Sequence, residues 1–363
     1  MSVTISQIAR EANVSIGTVS KALNNRDGVS EELRERIKGI AQRLQYFPYI
    51  KSRENGMMVR EANQIAVVFG RNGGHILDGI QHGIDAALAD SGFREVRLTV
   101  QIDDMVQESS KKFILDKILN DPQICGAIFV FLPLTDADIA RFKRGNIHIT
   151  QINNFSTFGL SVTVDDFGAA YEATEQLIKF GHQCVGFVLP NDAVDQVWRD
   201  RLAGYKKAIA DHNLAYDGSW IANESAFDPH RAGLVTYELL LNNPSMTAIL
   251  YGCDQQAMGG LKMLREMHLR VPEDVAVVGF DDMAACELIN PPLASVRLPL
   301  FEMGKQGTEM LLEAIQTKAF KNEKRLLKAR LVLRRSADMV IPQTTWLPES
   351  SPLAQMRIRP AAE

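Results

Sequence analysis

The sequence predicts an all-α helix-turn-helix head followed by an α/β body. Three short helical patterns fill the first 48 residues, and from Gln64 onward short β-branched runs alternate with amphipathic helical patterns. The charge divides near the same place, because residues 1–60 hold ten Lys/Arg against six Asp/Glu and the remainder holds 30 against 38. A basic segment on an acidic body indicates an anionic partner for the head alone.

The composition excludes several classes of protein. A length of 363 residues allows two or three domains, and 46% hydrophobic with 23% charged residues is ordinary for a soluble chain. The segment "MSVTISQIAR" lacks the apolar core of a signal peptide and no long apolar run follows, so we expect a cytoplasmic protein. The four cysteines lie far apart without a CxxC pair, which predicts buried free thiols and neither a zinc site, a disulfide nor a cofactor.

The first helix of the head is predicted to begin at Thr4, where Gln7 completes a capping box. Asn13 can adopt the left-handed conformation that ends a helix, and Val14 then plugs the turn. The apolar stripe between them consists of Ile5, Ile8, Ala9 and Ala12.

The second helix is predicted to begin at Ser15 and to run through about Leu23, with Val19, Ala22 and Leu23 facing inward. Ser30 caps a third helix, whose core face is Leu33, Ile37, Ile40, Ala41 and Leu44. The residues left outside on the second helix are Ile16, Gly17, Thr18, Ser20 and Lys21. Such a polar helix is typical of the element that a helix-turn-helix places in a DNA major groove. A generic three-helix bundle is the alternative, but it leaves this polarity unexplained.

The segment "VTISQIAREANVSIGTVSKALNNRDGVSEELRERI" closely resembles the DNA-binding head of the lactose repressor (LacI/GalR) family, over 3–48 almost without gaps. The resemblance implies that Ile16, Gly17 and Lys21 occupy the main base-reading positions. Lys21 stands where Arg is common, so a point charge replaces a bidentate contact to guanine. Gly17 has no side chain with which to read a base.

The resemblance also implies a hinge helix over 49–63 that wedges a leucine into the minor groove. Here Asn55 takes the position of that leucine, and Gly56, which weakens a helix, follows it. If the hinge helix forms, Met57 or Met58 could serve as the wedge. A flexible linker is the open alternative. Lys51 and Arg53 are candidate phosphate contacts. The full set of candidate DNA-binding residues is Thr4, Ser15, Ile16, Gly17, Thr18, Ser20, Lys21, Asn24, Lys51 and Arg53.

The body alternates strand patterns with helical patterns, which predicts parallel sheets covered by helices. The strand runs are 65–69, 96–100, 127–131, 148–152, 185–189, 247–251 and 275–279. The body also resembles the family, which implies the two-subdomain fold of periplasmic sugar-binding proteins (type I). The expected effector-binding and dimerisation domain is 64–340, with subdomains 64–163 with 297–325 and 164–296 with 326–340, and a tail at 341–363. Ligands then bind at the carboxyl ends of the strands, in the cleft between subdomains.

The resemblance places the effector residues one by one. Arg201 in "RLAGY" matches an arginine that binds effector hydroxyls or a carboxylate, and Asp281 in "GFDD" matches an acidic hydrogen-bond acceptor, although either side chain could be an ordinary surface or capping residue. Phe227 matches an aromatic that stacks on the effector, with a core aromatic as the alternative. The full candidate set is His75, Asn153, Arg201, Phe227, Cys253, Asp254 and Asp281.

Cys253 departs from the family pattern, because the lactose repressor has a sugar-contacting Asn before the aspartate of this motif. A thiol is smaller and a poor hydrogen-bonding group. We therefore expect an altered pocket for a small polar effector, a sugar or a sugar derivative.

These features predict a transcriptional regulator, a repressor by family habit, that binds a near-palindromic operator as a dimer and responds to the effector. The Pro-rich tail holds no heptad run, so a tetramer is not expected. A solute-binding protein of the same fold is the alternative, but the head and the missing signal peptide argue against it. An enzyme is not indicated, because "GRNGG" is not GxGxxG and no catalytic triad or metal-ligand spacing is present.

Overall fold

The computed structural model describes residues 5–23, 28–43, 53–54, 57–58, 62–70, 74–99, 107–154, 158–190, 195–224 and 228–338. The chain divides into two compact units, Met1–Thr163 with Leu300–Arg325 and Val164–Pro299 with Leu326–Glu363. The head belongs to the first unit. No helix in the described part of the chain is both long and apolar enough to cross a membrane.

The head contains the three predicted helices, α1 (Ile5–Ala12), α2 (Ile16–Leu23) and α3 (Glu31–Arg43). Asn13 adopts the left-handed conformation with φ 53°, as predicted. Its N–H donates to the Arg10 carbonyl at 3.3 Å, and the Val14 N–H donates to the Ala9 carbonyl at 3.0 Å. These two bonds form a Schellman motif, which satisfies the last carbonyls of α1 and turns the chain toward α2.

Serine hydroxyls begin the next two helices. Ser15 Oγ accepts the Thr18 N–H at 3.1 Å, and Ser30 Oγ accepts the Leu33 N–H at 3.4 Å. The helices share one apolar core, which consists of Ile8, Ala9, Ala12, Val19, Ala22, Ile37, Ile40 and Ala41. The predicted core faces are confirmed for these residues, with Leu33 only partly buried at the edge. The side chains of Ile5 and Leu23, and the whole of Leu44, lie outside the described residues.

Two arginines of α3 bind carbonyls at the ends of α1 and α2, and one of them also binds a carbonyl in the segment before α3. Buried Arg34 donates to the Ala22 carbonyl at 3.2 Å and to the Val29 carbonyl at 3.4 Å. Arg36 donates to the Ala12 carbonyl at 2.5 Å. Charged donors at helix C-termini satisfy free carbonyls and oppose the helix dipole, so both arginines hold the head together.

In the linker, the described residues 53–54 and 57–58 are strands, whereas the resemblance implied a hinge helix. These residues form two short antiparallel strands, β1 (Arg53–Glu54) and β2 (Met57–Met58), in which Arg53 pairs with Met58. The described linker residues are therefore extended in this structure.

The sheet of the first unit has six strands in the order β4-β3-β5-β6-β7-β13. The first five run parallel. The strands are β3 (Gln64–Phe69), β4 (Arg94–Thr99), β5 (Ile124–Val130), β6 (His148–Ile152), β7 (Leu160–Val164) and β13 (Glu323–Leu327). The helices of this unit's α/β part are α4 (Gly74–Leu88), α5 (Gln107–Asn120), α6 (Asp136–Arg144) and α12 (Leu300–Thr317).

The sheet of the second unit has the order β14-β12-β11-β10-β8-β9, parallel except for the antiparallel edge strand β14. Its strands are β8 (Val185–Leu189), β9 (Ile221–Asn223), β10 (Ala248–Tyr251), β11 (Ala276–Asp281), β12 (Ala294–Arg297) and β14 (Arg330–Val332). Its helices are α7 (Asp166–Lys179), α8 (Gln196–Asp211), α9 (Pro229–Asn242), α10 (Asp254–Glu266) and α11 (Ala285–Leu288).

Both sheets repeat one topology, in which the second parallel strand lies outside the first and the third lies on its other side. Ligands of such sheets bind beyond the carboxyl ends of the strands where the strand order reverses. In the second unit this place lies beyond β8 and β10. The predicted α/β fold is confirmed, and the sequence patterns missed only short elements such as α6, β9 and β12.

Candidate DNA-reading surface and effector site

The exposed face of α2 carries the candidate base-reading residues. Ile16 is 50% exposed, and Gly17 and Lys21 are exposed as well. The hydroxyls of Ser15 and Thr18 lie 2.9 Å apart at the start of the helix. This face therefore combines one apolar side chain, one cation and two hydroxyls, which together can contact a thymine methyl group, a base edge and phosphates.

Several other candidates of the head cannot be placed. Thr4, Asn24 and Lys51 lie outside the described residues. The side chains of Ser20 and Arg53 lie outside them too, although both backbones are described. Their assignment to DNA binding stays a prediction.

Arg201, on α8, forms the centre of the polar site in the second unit. Its Nε donates to Asp166 Oδ1 at 2.7 Å, and its Nη1 donates to the Gly252 carbonyl at 2.7 Å. Both side chains of this ion pair are buried. Gly252 directly follows β10, and Asp166 begins α7, so the guanidinium links three elements at the carboxyl edge of the sheet.

Two aromatic rings hold the same guanidinium. Its carbon lies 4.1 Å from the ring centre of Phe280 and 4.9 Å from that of Trp198. Contacts between a cation and a ring face are favourable when water is excluded. Arg201 is therefore fixed, and the two hydrogen bonds use only two of the five N–H donors of its guanidinium.

Asp281 lies at the last position of β11 and is 7% exposed. Its φ of 104° lies in a region that side chains other than glycine rarely adopt, and such strain clusters at functional sites. Its carboxylate makes no hydrogen bond or ion pair with a described residue. Burial raises the pKa of Asp281 well above its ordinary value, Arg201 counteracts this, and the charges of Asp254 and Asp166 add to it.

Asp254 corrects the sequence assignment, because its carboxylate is enclosed by its own unit. Ser295 Oγ donates to Oδ1 at 2.6 Å, while the Met283 N–H and the Cys286 thiol donate to Oδ2 at 2.8 and 3.1 Å. Burial raises its pKa to about 6, which these donors partly offset. A Cβ at Gly279 would lie 2.2 Å from Oδ1. Asp254 therefore ties the start of α10 to β11 and β12 and offers an effector no free acceptor.

Cys253 precedes α10 and is buried. Burial raises the pKa of its thiol to about 12, and the charge of Asp281 contributes to the rise. The thiol is therefore neutral and lies within electrostatic reach of Asp281. It adds size and little hydrogen-bonding capacity to the site.

His75 and Asn153 belong to the first unit, and the structure brings neither into a bonded cluster. Burial lowers the pKa of half-buried His75 and Asp78 counteracts this, while its Nε2 has no partner among described residues. Asn153 follows β6 with φ 56°, and its N–H donates to the Val162 carbonyl at 2.8 Å. Phe227 lies outside the described residues.

Sequence reasoning missed three residues that organise the site, namely Asp166, Trp198 and Phe280. Asp165 accepts the Gly168 N–H at 2.8 Å and so caps α7. The next residue, Asp166, has its partner Arg201 35 positions away, so its role was not visible in the sequence. The available signal was this acidic pair directly after a strand, where parallel sheets place their ligand sites.

A helix-turn-helix head joined to two mostly parallel sheets, one with a polar site at its carboxyl edge, defines a ligand-responsive DNA-binding regulator. Residues 4–49 match the model of bacterial regulatory proteins of the lacI family, and residues 174–337 match a periplasmic binding protein-like domain. The chain is 30% identical over 344 residues to the NTD biosynthesis operon regulator NtdR of Bacillus subtilis (strain 168), covering 92% of this chain and 99% of that one.

Two solved structures are similar across nearly the whole chain. The CelR–cellobiose complex has a TM-score of 0.67 at 25% identity, covering 92% of this chain and 99% of the other. A lac repressor dimer bound to operator and the anti-inducer ONPF has a TM-score of 0.70 at 25% identity, covering 93% and 99%. The chain belongs to the lacI family and is a DNA-binding transcriptional regulator. These relatives are regulators and not enzymes.

Proposed function

We propose that this regulator is a repressor that binds a near-palindromic operator as a homodimer in the cytoplasm, under the control of a sugar or sugar derivative. The observation that carries the proposal is the pairing of an exposed polar recognition helix with a buried, fixed arginine at a ligand-binding sheet edge. The similar CelR structure contains cellobiose, and the similar lac repressor structure is a dimer on its operator.

On the DNA side, α2 inserts its first turns into the major groove. Ile16 contacts an apolar base edge, and Lys21 contacts a base or phosphate as a point charge. Ser15 and Thr18 bind the phosphate backbone and set the register of the helix. Gly17 lets the backbone approach the groove closely.

On the effector side, Arg201 donates its remaining N–H groups to ligand oxygens while Asp166 fixes its direction. Asp281 accepts hydrogen bonds from the ligand, because its buried carboxylate has no described protein donor. Cys253 contacts the ligand without a strong hydrogen bond. Asp254 acts as a positioning residue that holds α10 and β11 in place.

Regulation follows from a difference in effector affinity between a DNA-binding state and a DNA-releasing state. A ligand shifts that equilibrium only by the ratio of its two affinities, and DNA shifts effector binding by the same factor. Effector binding and operator binding must therefore oppose each other if the effector is an inducer.

The proposed dimer has a candidate contact surface on α9. Leu234, Tyr237 and Leu241 follow one another at helical spacing and are all exposed, and Leu288 at the end of α11 is 85% exposed. Large apolar side chains on one helix face favour association. Sedimentation of the full chain at micromolar concentration should give a dimer, whereas a tetramer would contradict this part of the proposal.

A thermal-shift screen against sugars, nucleosides and sugar phosphates tests the effector site. We expect at least one sugar to raise the melting temperature of wild type and to raise that of Asp281→Asn much less. We also expect that the protein does not convert this sugar into a product. Lys21→Ala, in the head, is the matched variant and should keep the full ligand-induced shift. If Asp281→Asn keeps it and Lys21→Ala loses it, the two sites are assigned wrongly.

A further inference from the structure

The carboxyl edge of the second unit's sheet is acidic. The described residues at the ends of its strands are 190 and 195 after β8, 224 and 228 after β9, 252–254 after β10 and 281–283 at the end of β11, and none of them is Lys or Arg. They include six carboxylates, on Asp195, Glu224, Asp228, Asp254, Asp281 and Asp282. This edge is where a ligand of such a sheet binds.

The arginines described near this edge are already engaged by carboxylates. Arg201 pairs with Asp166 at 2.7 Å, and Arg231 lies 3.8 Å from Glu224. Arg297, at the end of β12, pairs with Asp282. None of these three cations is therefore free to neutralise a charged group on a ligand.

Most of the described carboxylates at this edge also have donors. Asp195 accepts the Val197 N–H at 3.0 Å, and Asp228 accepts the His230 N–H at 2.8 Å, so both cap helices. Asp254 accepts three donors. Asp281 differs from these, because it is buried and makes no hydrogen bond or ion pair with a described residue.

The neighbours of Asp281 supply only part of what it lacks. Arg201 lies within electrostatic reach of it, but the guanidinium is paired with Asp166. Cys253, whose thiol responds to its charge, is a weak donor, and Phe280 is occupied by the guanidinium of Arg201. A buried carboxylate without a partner is costly, and the cost is removed when a ligand brings a positive charge and donors to it.

We propose that the effector carries a protonated amine that lies against Asp281, so that the chemical class recognised is an amino sugar. The inference rests on the proposed effector site and specifies its chemistry. An ammonium group places up to three N–H donors and one positive charge on a compact centre, which matches an unpartnered carboxylate. The acidic edge at the same time disfavours phosphorylated and carboxylated ligands.

Matched sugars test the proposal by calorimetric titration of the full chain at neutral pH. The probes are glucosamine, glucose, N-acetylglucosamine and glucose 6-phosphate, with the corresponding galactose set. Charge-assisted hydrogen bonds are the strong ones, so we expect the free amine to bind about tenfold or more tighter than its hydroxyl and N-acetyl counterparts. We expect no binding of the phosphates.

Asp281→Asn supplies the second arm, because it keeps the shape of the side chain and removes its charge. It should abolish the preference for the amine, whereas Glu266→Gln, which removes an exposed carboxylate of α10, should retain it. Equal or tighter binding of the neutral sugars, tighter binding of a phosphate, or no binding of any amine at millimolar concentration would overturn the amine assignment.

Failure of the proposed function gives a different pattern. A neutral sugar that binds wild type, binds Asp281→Asn more weakly and releases DNA would support the proposed effector site. It would contradict only the assignment of an amine to the effector. A ligand whose affinity is unchanged in Asp281→Asn would show that the effector binds elsewhere.

Discussion

The reading face of α2 and the carboxyl edge of the second unit's sheet use polar residues in opposite ways. In the head, Lys21 and Gly17 are exposed and the hydroxyls of Ser15 and Thr18 bond locally. At the sheet edge, Arg201, Asp166 and Asp281 are buried and influence one another. Exposed residues that contact only DNA can be substituted with little effect on folding. Substitution of a buried residue in the ligand site changes both ligand recognition and stability.

The largest expected effect lies in the buried ion pair. Arg201→Ala leaves Asp166 buried without its cation, and breaking such a pair typically costs about 3–5 kcal/mol. We expect the free energy of unfolding to fall by that order in urea titrations. The double variant Asp166→Asn with Arg201→Ala should recover part of it, because no unpaired charge remains. If Arg201→Ala alone is as stable as wild type, the buried polar residues of the sheet edge do not stabilise the fold. The contrast with the exposed residues of α2 would then be wrong.

A buried histidine extends the comparison to pH. Burial lowers the pKa of His182 to about 4, and its Nδ1 lies 2.9 Å from Thr247 Oγ1. Because the unfolded chain takes up the proton first, the stability that neutral His182 contributes is complete above about pH 6.5 and is lost as pH falls toward 4. The loss is about 3 kcal/mol.

Unfolding titrations across this pH range measure that slope. His182→Gln should flatten it, whereas His230→Gln, at an exposed position, should leave it unchanged. If both variants keep the wild-type slope, His182 is not the group that titrates.

Lys21→Ala is expected to act on DNA binding alone. Loss of one contact to DNA should weaken binding by about 1–2 kcal/mol and, if the contact is to phosphate, reduce the salt slope by about one. The unfolding free energy should stay unchanged, because Lys21 is exposed. Fluorescence anisotropy on a selected DNA fragment measures both quantities. The control is Lys38→Ala on α3. A similar loss of DNA affinity in this variant would show that DNA binding depends on the net charge of the head and not on the surface of α2.

Gly17→Ala has the smallest expected effect, and it tests how closely α2 approaches DNA. A Cβ at Gly17 would meet only Ser15 Oγ at 3.7 Å, an ordinary contact, so the head should gain about 0.5–1 kcal/mol of stability. Gly39→Ala on α3, where a Cβ would meet nothing within 4 Å, should give the same gain. Only Gly17→Ala should weaken operator binding, and equal DNA affinities would mean that α2 does not approach the groove at Gly17.

The head could be predicted closely from sequence because its signals are local. Asn13, Ser15 and Ser30 act within three or four residues along the chain, and the helical spacing of Val19 and Ala22 defines the core. Most strands of the body were found for the same reason, since strands such as β3, β5, β6 and β8 are short buried runs.

The effector site could be predicted only in part, because its partners are distant in sequence. Arg201 and Asp166 are 35 positions apart, and Asp254 and Ser295 are 41 apart. A motif indicates that Asp254 and Asp281 matter but not which one is enclosed. That distinction depends on packing, where Gly279 lets Asp254 approach the sheet and leaves Asp281 as the carboxylate without a described donor.

The most direct test of the account measures the DNA affinity of the full chain with and without the sugar that raises its melting temperature. Fluorescence anisotropy on DNA selected from a randomised pool serves as the readout, with Asp281→Asn as the matched variant. We predict that the sugar changes the DNA affinity of wild type and leaves that of Asp281→Asn unchanged. A sugar that binds wild type through Asp281 without changing its DNA affinity would contradict the coupling of the two regions.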